Sequence, residues 1–270
     1  MHDPLAANVI DPELLMLAYR SGIFPMADSR DDPEVFWVEP QRRAILPLDQ
    51  FRCSRSLART LRRGRFRVTC NQAFAEVMAE CAAPRRKAHD EASGESWISD
   101  RIVASYVRLH RLGHAHSIEC WQEDHLFGGL YGVGFDRVFC GESMFSRVPD
   151  ASKVALAWLV AALRRARATL LDCQFITPHL ASLGAVEMSQ KQYLRLLKAA
   201  QSPYAAGGLA EGFGLGDGED VGVVGGLAGA GAGAALPLPD GFAALLAEAA
   251  AAGSSSSPGN FIAQSFTQTS

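Results

Sequence analysis

The 270-residue chain is sparing with cysteine: Cys53, Cys70, Cys81, Cys120, Cys140 and Cys173 are scattered, and none forms a Cys-x-x-Cys pair. A disulfide scaffold and a zinc ribbon are both excluded, and most of the six read as small buried apolar residues in a reducing compartment. No uninterrupted apolar run reaches the ~18–20 residues that a membrane helix needs. The opening Met1-His2-Asp3-Pro4 has neither the basic nor the apolar region of a signal peptide, so a cytoplasmic protein is expected. Lysine and arginine are absent altogether from residues 201–270, where Glu211, Asp217, Glu219, Asp220, Asp240 and Glu248 stand alone.

The formal net charge of −3 therefore hides a division. Residues 1–200 hold 26 bases against 23 acids, while residues 201–270 are acidic and contain 15 of the 25 glycines. Residues 225–235 are almost wholly Gly and Ala, and 253–259 are rich in Ser. Such a tail buries too little surface to offset its ordering entropy, so most of 203–260 is expected to be disordered. Residues 243–252 could form a transient helix and 261–270 a short docking end.

The body alternates helical and strand patterns. Asp11 as N-cap and Pro12 at the first helical position predict a helix over 11–20, closed at Gly22. Gly22-Ile23-Phe24-Pro25 reads as an apolar turn and 35–38 as a strand. Asn71 is the expected cap of a helix with Phe74, Val77, Met78 and Cys81 on one face. Ser99 starts another, with Ile102, Val103, Tyr106 and Leu109. Between them, 84–96 is polar and charged and is expected to be a mobile loop. Strands are expected over 115–121, 126–133 and 137–141, the first two joined as a hairpin. A helix over 151–167, a strand over 169–175 and helices over 178–183 and 189–200 follow. Strand 137–141, its crossover helix and strand 169–175 form a β-α-β unit with parallel strands. Their carboxyl ends share one sheet edge, where ligands of open α/β sheets bind. The expected class is α/β (α+β).

That edge collects the polar candidates. Phe139-Cys140-Gly141-Glu142-Ser143-Met144-Phe145-Ser146 is expected to leave a strand through Gly141, placing Glu142 in a loop. The alternative is a plain connection with a solvated Glu. It lacks the second glycine of a serine-hydrolase elbow. Asp172 and Gln174, at i and i+2 in an apolar strand, share a face and need partners, because burying them unpaired costs several kcal/mol. They could form a site with Glu142, or simply satisfy backbone groups. His114, His116 and Glu119 lack a further ligand at characteristic spacing, so no metal is expected. Gly128-Gly129-Leu130-Tyr131-Gly132 is neither a Walker loop nor a dinucleotide fingerprint. Residues 1–200 also lack the Arg/Gln-x-x-Gly-x-Gly/Ala loop that holds coenzyme A in acetyltransferases. Residues 41–67 carry nine Arg against the single acid Asp49, with 56–64 as a basic helix. This is either a solvated face or, with Phe51 and Phe66 interleaved, an RNA-binding one.

Several runs together resemble one family. They are Arg20-Ser21-Gly22-Ile23-Phe24-Pro25, Ser54-Arg55-Ser56-Leu57, Trp97-Ile98, Leu112-Gly113-His114-Ala115-His116-Ser117-Ile118-Glu119, Gly128–Gly132, 139–146, Ser152-Lys153 and Asp172-Cys173-Gln174. In this order, over about 11–200, the sequence resembles the leucyl/phenylalanyl-tRNA–protein transferase family; the tail carries no part of the match.

The resemblance implies a small N-terminal domain followed by an acetyltransferase-like (GNAT-type) domain. The expected division is 1–68 with a basic surface, 69–200 catalytic, and 201–270 a low-complexity tail. It implies transfer of Leu or Phe, with Met as a further candidate, from aminoacyl-tRNA to proteins with N-terminal Arg or Lys, marking them for N-degron degradation. A monomer without cofactor or membrane partner is expected. By family resemblance Gln174 stands beside the attacking amine, Asp172 polarises or orients it, and Glu142 is the active-site glutamate. Leu130, Phe139, Met144 and Phe175 match the apolar pocket. Trp37 and Trp97 lie near the 3′-terminal adenosine or acceptor, and Arg55, Arg59, Arg62, Arg63 and Arg65 hold tRNA backbone. The competing readings are a non-catalytic tRNA-binding module and an acetyl-coenzyme A-dependent acetyltransferase.

Overall fold

Local signals set the first elements of the computed structural model, which describes residues 9–84, 96–202, 235–252 and 257–267. The Asp11 carboxylate accepts from the backbone N–H groups of Glu13 and Leu14, and Pro12 opens α1 (Pro12–Arg20). β1 (Phe24–Met26) and β2 (Phe36–Val38) pair antiparallel in a sheet of their own. Then come β3 (Arg42–Ile45), α2 (Arg55–Arg62), β4 (Arg67–Cys70), α3 (Phe74–Ala82) and α4 (Asp100–Arg111). The strands β5 (Ala115–Gln122), β6 (His125–Phe135) and β7 (Val138–Ser146) lead into α5 (Ala151–Arg165) and β8 (Leu170–Gln174). α6 (Pro178–Ser182), β9 (Val186–Ser189), α7 (Gln190–Gln201), α8 (Leu238–Ala251) and α9 (Pro258–Thr267) complete the order.

The larger sheet has seven strands in the order β4-β5-β6-β7-β8-β3-β9, parallel only between β7 and β8. The expected hairpin and β-α-β unit are both present. α5 fills one face of the sheet with Val154, Trp158 and Leu159 over Ile118, Leu130 and Phe139. Gly128 permits this approach, since a Cβ there would lie 2.4 Å from that of Ala151. The opposite face packs Leu15, Tyr19, Tyr106, Val133, Cys140 and Tyr193 from α1, α4, α7 and the strands.

Several expectations are corrected. β7 continues to Ser146, held by β6, so 139–146 is strand and not a loop. Gly132 faces Gly141 while Tyr131 faces Ser143, leaving Glu142 as the extra residue of a bulge. Asn71 does not cap α3: it has φ 61° and its side chain binds His116 and the Ser117 N–H, and Ala73 occupies the cap position. The segment expected as a turn at 22–25 runs into β1, which begins at Phe24. β3, β4 and β9 lie outside the expected elements, because four residues show no period. β3, from before residue 68, lies in the seven-stranded sheet between β8 and β9. Of the six free thiols only Cys120 and Cys140 are buried, the rest half-buried. Among the described residues no helix is long and apolar enough to cross a membrane.

The tail also departs from expectation. Residues 85–95 of the expected loop and 203–234 of the tail lie outside the described residues, but α8 and α9 are formed and packed. Leu238, Phe242, Leu245, Ile262, Ala263 and Phe266 join the α5 core. Phe242 lies tilted against Trp158 with ring centroids 5.4 Å apart, and Gly259 lies so close to α2 that a Cβ would meet the Leu61 carbonyl at 2.1 Å. Phe242→Ala is expected to lower stability by about 3 kcal/mol, read as a reduced denaturation midpoint. An unchanged midpoint would mean that α8 does not dock in solution.

Candidate active site

The parallel ladder between β7 and β8 ends at the pair Cys140 and Asp172. Beyond it, the bulge turns Glu142 towards the α1–α4 face, and Gln174 leaves β8 with φ 61°. The three candidate residues meet there. Gln174 Nε2 donates to Glu142 Oε1 at 2.8 Å, and the Gln174 backbone N–H donates to Asp172 Oδ1 at 2.8 Å. All three are buried, Asp172 wholly and Gln174 and Glu142 with 6% and 8% of their surface exposed.

The two carboxyls have different surroundings. Asp172 Oδ1 also accepts from Arg43 Nε at 2.9 Å, while Oδ2 accepts from Arg43 Nη2 at 2.5 Å and Tyr193 OH at 3.0 Å. With about four lone-pair sites on a carboxylate, these four donors fill Asp172. Asp172 holds Arg43 charged: burial works against the guanidinium, and the attraction and hydrogen bonds of Asp172 more than reverse it. Glu142 has no cation at hydrogen-bond distance among the described residues. Tyr106 OH donates to its Oε2 at 3.4 Å and is itself hydrogen-bonded to Tyr19 OH. Burial pushes the Glu142 carboxyl up to about 7, against the pull of hydrogen bonds from the tyrosine side and from Gln174. Tyr131, wholly buried and edge-on to Tyr106, has no hydrogen-bond partner for its hydroxyl among the described residues. Cys140 beside them is shut off as a nucleophile, its thiol pushed up by burial and by the Asp172 charge.

The apolar candidates divide between the faces. Leu130 and Phe139 are buried on the α5 side, with Met144 half-buried opposite Leu130. Phe175, 46% exposed, lies edge-on to Phe24 at 5.8 Å, on the side of Arg43. Trp97 packs against that same core and its carbonyl accepts from Ala27 N, while Trp37 on β2 is exposed. Arg55, Arg59, Arg62 and Arg63 line a groove of about 500 Å³ with Cys53 and Ala58. Arg65 instead stacks on Phe66.

The His and Glu run serves the scaffold. Burial pushes His116 down to about 4, and its Nδ1 meets Asn71. Glu119 is bound by Thr69, Ser117 and the Ala73 N–H at the start of α3. Among the described residues no group of three His, Cys, Asp or Glu could hold a metal ion. Sequence reasoning missed Arg43, Tyr19, Tyr106, Tyr131 and Tyr193. The available signal was a charged residue directly before the apolar Ala44-Ile45-Leu46, and, for Tyr19, Tyr106 and Tyr193, helix positions that face the core; Tyr131 lies within β6.

The site holds an oriented amide and a carboxyl of raised pKa beside a thiol that cannot attack, and likeness to known sequences puts the chain among transferases. The chain matches the leucyl/phenylalanyl-tRNA protein transferase family over residues 45–198 and that family's N-terminal domain over 8–41. It is 67% identical over 265 residues to the leucyl/phenylalanyl-tRNA–protein transferase of Novosphingobium aromaticivorans, covering 97% of this chain and 98% of that one. The similarly named protein of Rhizorhabdus wittichii is 58% identical over 205 residues, covering 76% and 81%. That of Zymomonas mobilis is 56% identical over 197 residues, covering 73% and 72%. The chain belongs to the leucyl/phenylalanyl-tRNA protein transferase family. A match covering 97% of the chain runs through the tail, so in the Novosphingobium relative the likeness does not stop near residue 200.

The Glu142 environment has a pH consequence. A carboxyl whose pKa is raised on folding binds its proton more tightly in the folded state. Its stabilising contribution is therefore full below the ordinary value of 4.5 and is lost as pH rises through about 7. Glu142→Gln removes this dependence. Its stability relative to the unsubstituted protein should be about 2–3 kcal/mol more favourable at pH 8 than at pH 5 in denaturant titrations. An equal difference at both pH values would show that Glu142 titrates normally.

Proposed function

We propose that the protein transfers Leu or Phe, with Met as a further donor, from its tRNA ester to the α-amino group of proteins beginning with Arg or Lys. The observation that carries this is the Gln174 side chain: its Nε2 is committed to Glu142, and no described residue donates to its Oε1. That oxygen is an acceptor suited to an N–H of the attacking amine. The amine must be neutral, and an α-amino pKa near ~7.7–8.0 leaves a usable fraction at neutral pH. Its nitrogen bonds to the ester carbonyl carbon, the bond to the ribose oxygen breaks, and the amine's proton passes to that oxygen. The ester is already activated, so positioning is the main task.

Leu130, Phe139, Met144 and Phe175 are the proposed wall for the donor side chain. A pocket of this kind separates single methylenes by only ~1–3 kcal/mol, which accommodates more than one apolar amino acid. Trp37 and Trp97 are assigned to the terminal adenosine or the acceptor. The groove on α2 suits phosphate, since Arg55, Arg59, Arg62 and Arg63 line it without an ion-pair partner among the described residues. Arg65 is assigned with them. The proposed setting is a cytoplasmic monomer acting in N-degron degradation, with an acetyltransferase-like catalytic domain.

Purified protein, Leu-tRNA or Phe-tRNA and a peptide beginning with Arg should give a product heavier by one residue in mass spectrometry. The N-acetylated peptide should give none. Addition to the blocked peptide, or none to the free one, would refute the proposal. Arg59→Ala combined with Arg62→Ala should weaken tRNA binding and reduce the salt dependence of log K by about 1–2. An unchanged slope would remove the groove from the tRNA path.

A further inference from the structure

Arg43, on β3, has no role in the chemistry above and is nevertheless 1% exposed at the centre of the densest network in the body. Its Nε and Nη2 grip both Asp172 oxygens, Nη1 donates to the Gly22 carbonyl at 3.0 Å, and the guanidinium lies 4.8 Å from the Phe24 ring and 4.6 Å from that of Tyr193. A buried pair of this kind adds little stability over packed apolar residues, because both ions lose their hydration. Its contribution is geometry, since a planar fork fixes the rotation of the carboxylate. The rotation matters because Oδ1 also accepts from the Gln174 backbone N–H. Gln174 has φ 61°, in the left-handed region where a non-glycine residue needs such support. The same backbone turn aims its amide at Glu142.

We propose that Arg43 is a positioning residue for the transfer: through Asp172 it holds Gln174 in its left-handed conformation, with Nε2 on Glu142 and Oε1 left for the attacking amine. This rests on the reaction proposed above. Lysine cannot substitute, because a single ammonium carries the charge without the two-pronged planar contact. Buried as it is, Arg43 touches neither substrate, so its loss should spare binding and reduce the fraction of complexes in which amine and ester are aligned.

The test compares full-length wild type, Arg43→Lys and Tyr193→Phe well below their thermal midpoints. Tyr193→Phe keeps the ring and removes one of the two donors to Asp172 Oδ2, together with the hydroxyl that accepts from Arg43 Nη2 at 3.4 Å. Transfer of Leu from Leu-tRNA to an Arg-initiated peptide gives kcat and KM, and backbone amide exchange at Gln174 is followed separately. Arg43→Lys should lower kcat roughly tenfold or more, keep both KM values within about twofold, and speed Gln174 exchange about tenfold. Tyr193→Phe should move the same quantities in the same direction by less. A loss confined to KM, or unchanged Gln174 exchange in either folded variant, would overturn the proposal. If wild type transfers nothing, the proposed reaction fails, and the exchange measurement still decides whether Arg43 holds Gln174.

Discussion

Arg43 and Asp172 meet where water reaches neither, and removing each ion from water costs several kcal/mol even after the surroundings relax. The chain tolerates this by meeting nearly every polar atom of the pair. β3 brings the guanidinium, β8 the carboxylate, α7 the Tyr193 hydroxyl, and the turn after α1 the Gly22 carbonyl. Separate stretches of sequence are thereby fixed to one point. Removing one ion would strand the other in a dry interior, a far larger penalty than the pair's net worth.

That pairing gives the two neighbouring carboxyls different tasks. Asp172 is saturated with donors and serves as a fixed anchor. Glu142 faces tyrosines and an amide, and burial, with repulsion from Asp172, outweighs their hydrogen bonds and the pull of Arg43, so its proton is held into the neutral range. The unpartnered Tyr131 hydroxyl belongs to the same enclosure. An unmet buried hydroxyl costs roughly 1–3 kcal/mol, which is characteristic of sites where function outweighs stability.

Much of this is legible in the sequence, and the failures have physical causes. The hairpin, the β-α-β unit and the helices α1, α4, α5 and α7 show caps and apolar spacing over enough residues to be read. Asp172 and Gln174 stand out as polar residues in an apolar strand, and parallel topology places Glu142 beside them. Arg43 is hidden among nine arginines, because composition cannot separate one buried cation from a solvated run. The bulge at Glu142 depends on the partner strand and leaves no local mark. In the tail, averaging over Gly and Ala obscures Leu238, Phe242, Leu245 and Ala249, whose spacing of four, three and four is a helical stripe.

The position of β3 between β8 and β9 bears on when the protein becomes whole. Ile45 faces Asp172 on one side and Val186 on the other, so an early strand must wait for two late ones. With synthesis at about 5–20 residues per second, the partners of β3 follow it by roughly 6–25 seconds. Until then Arg43 has no counter-ion and stays hydrated. The last strands of the body complete the sheet and bring Asp172 and Gln174 to Arg43, so a nascent chain lacking them has neither arrangement.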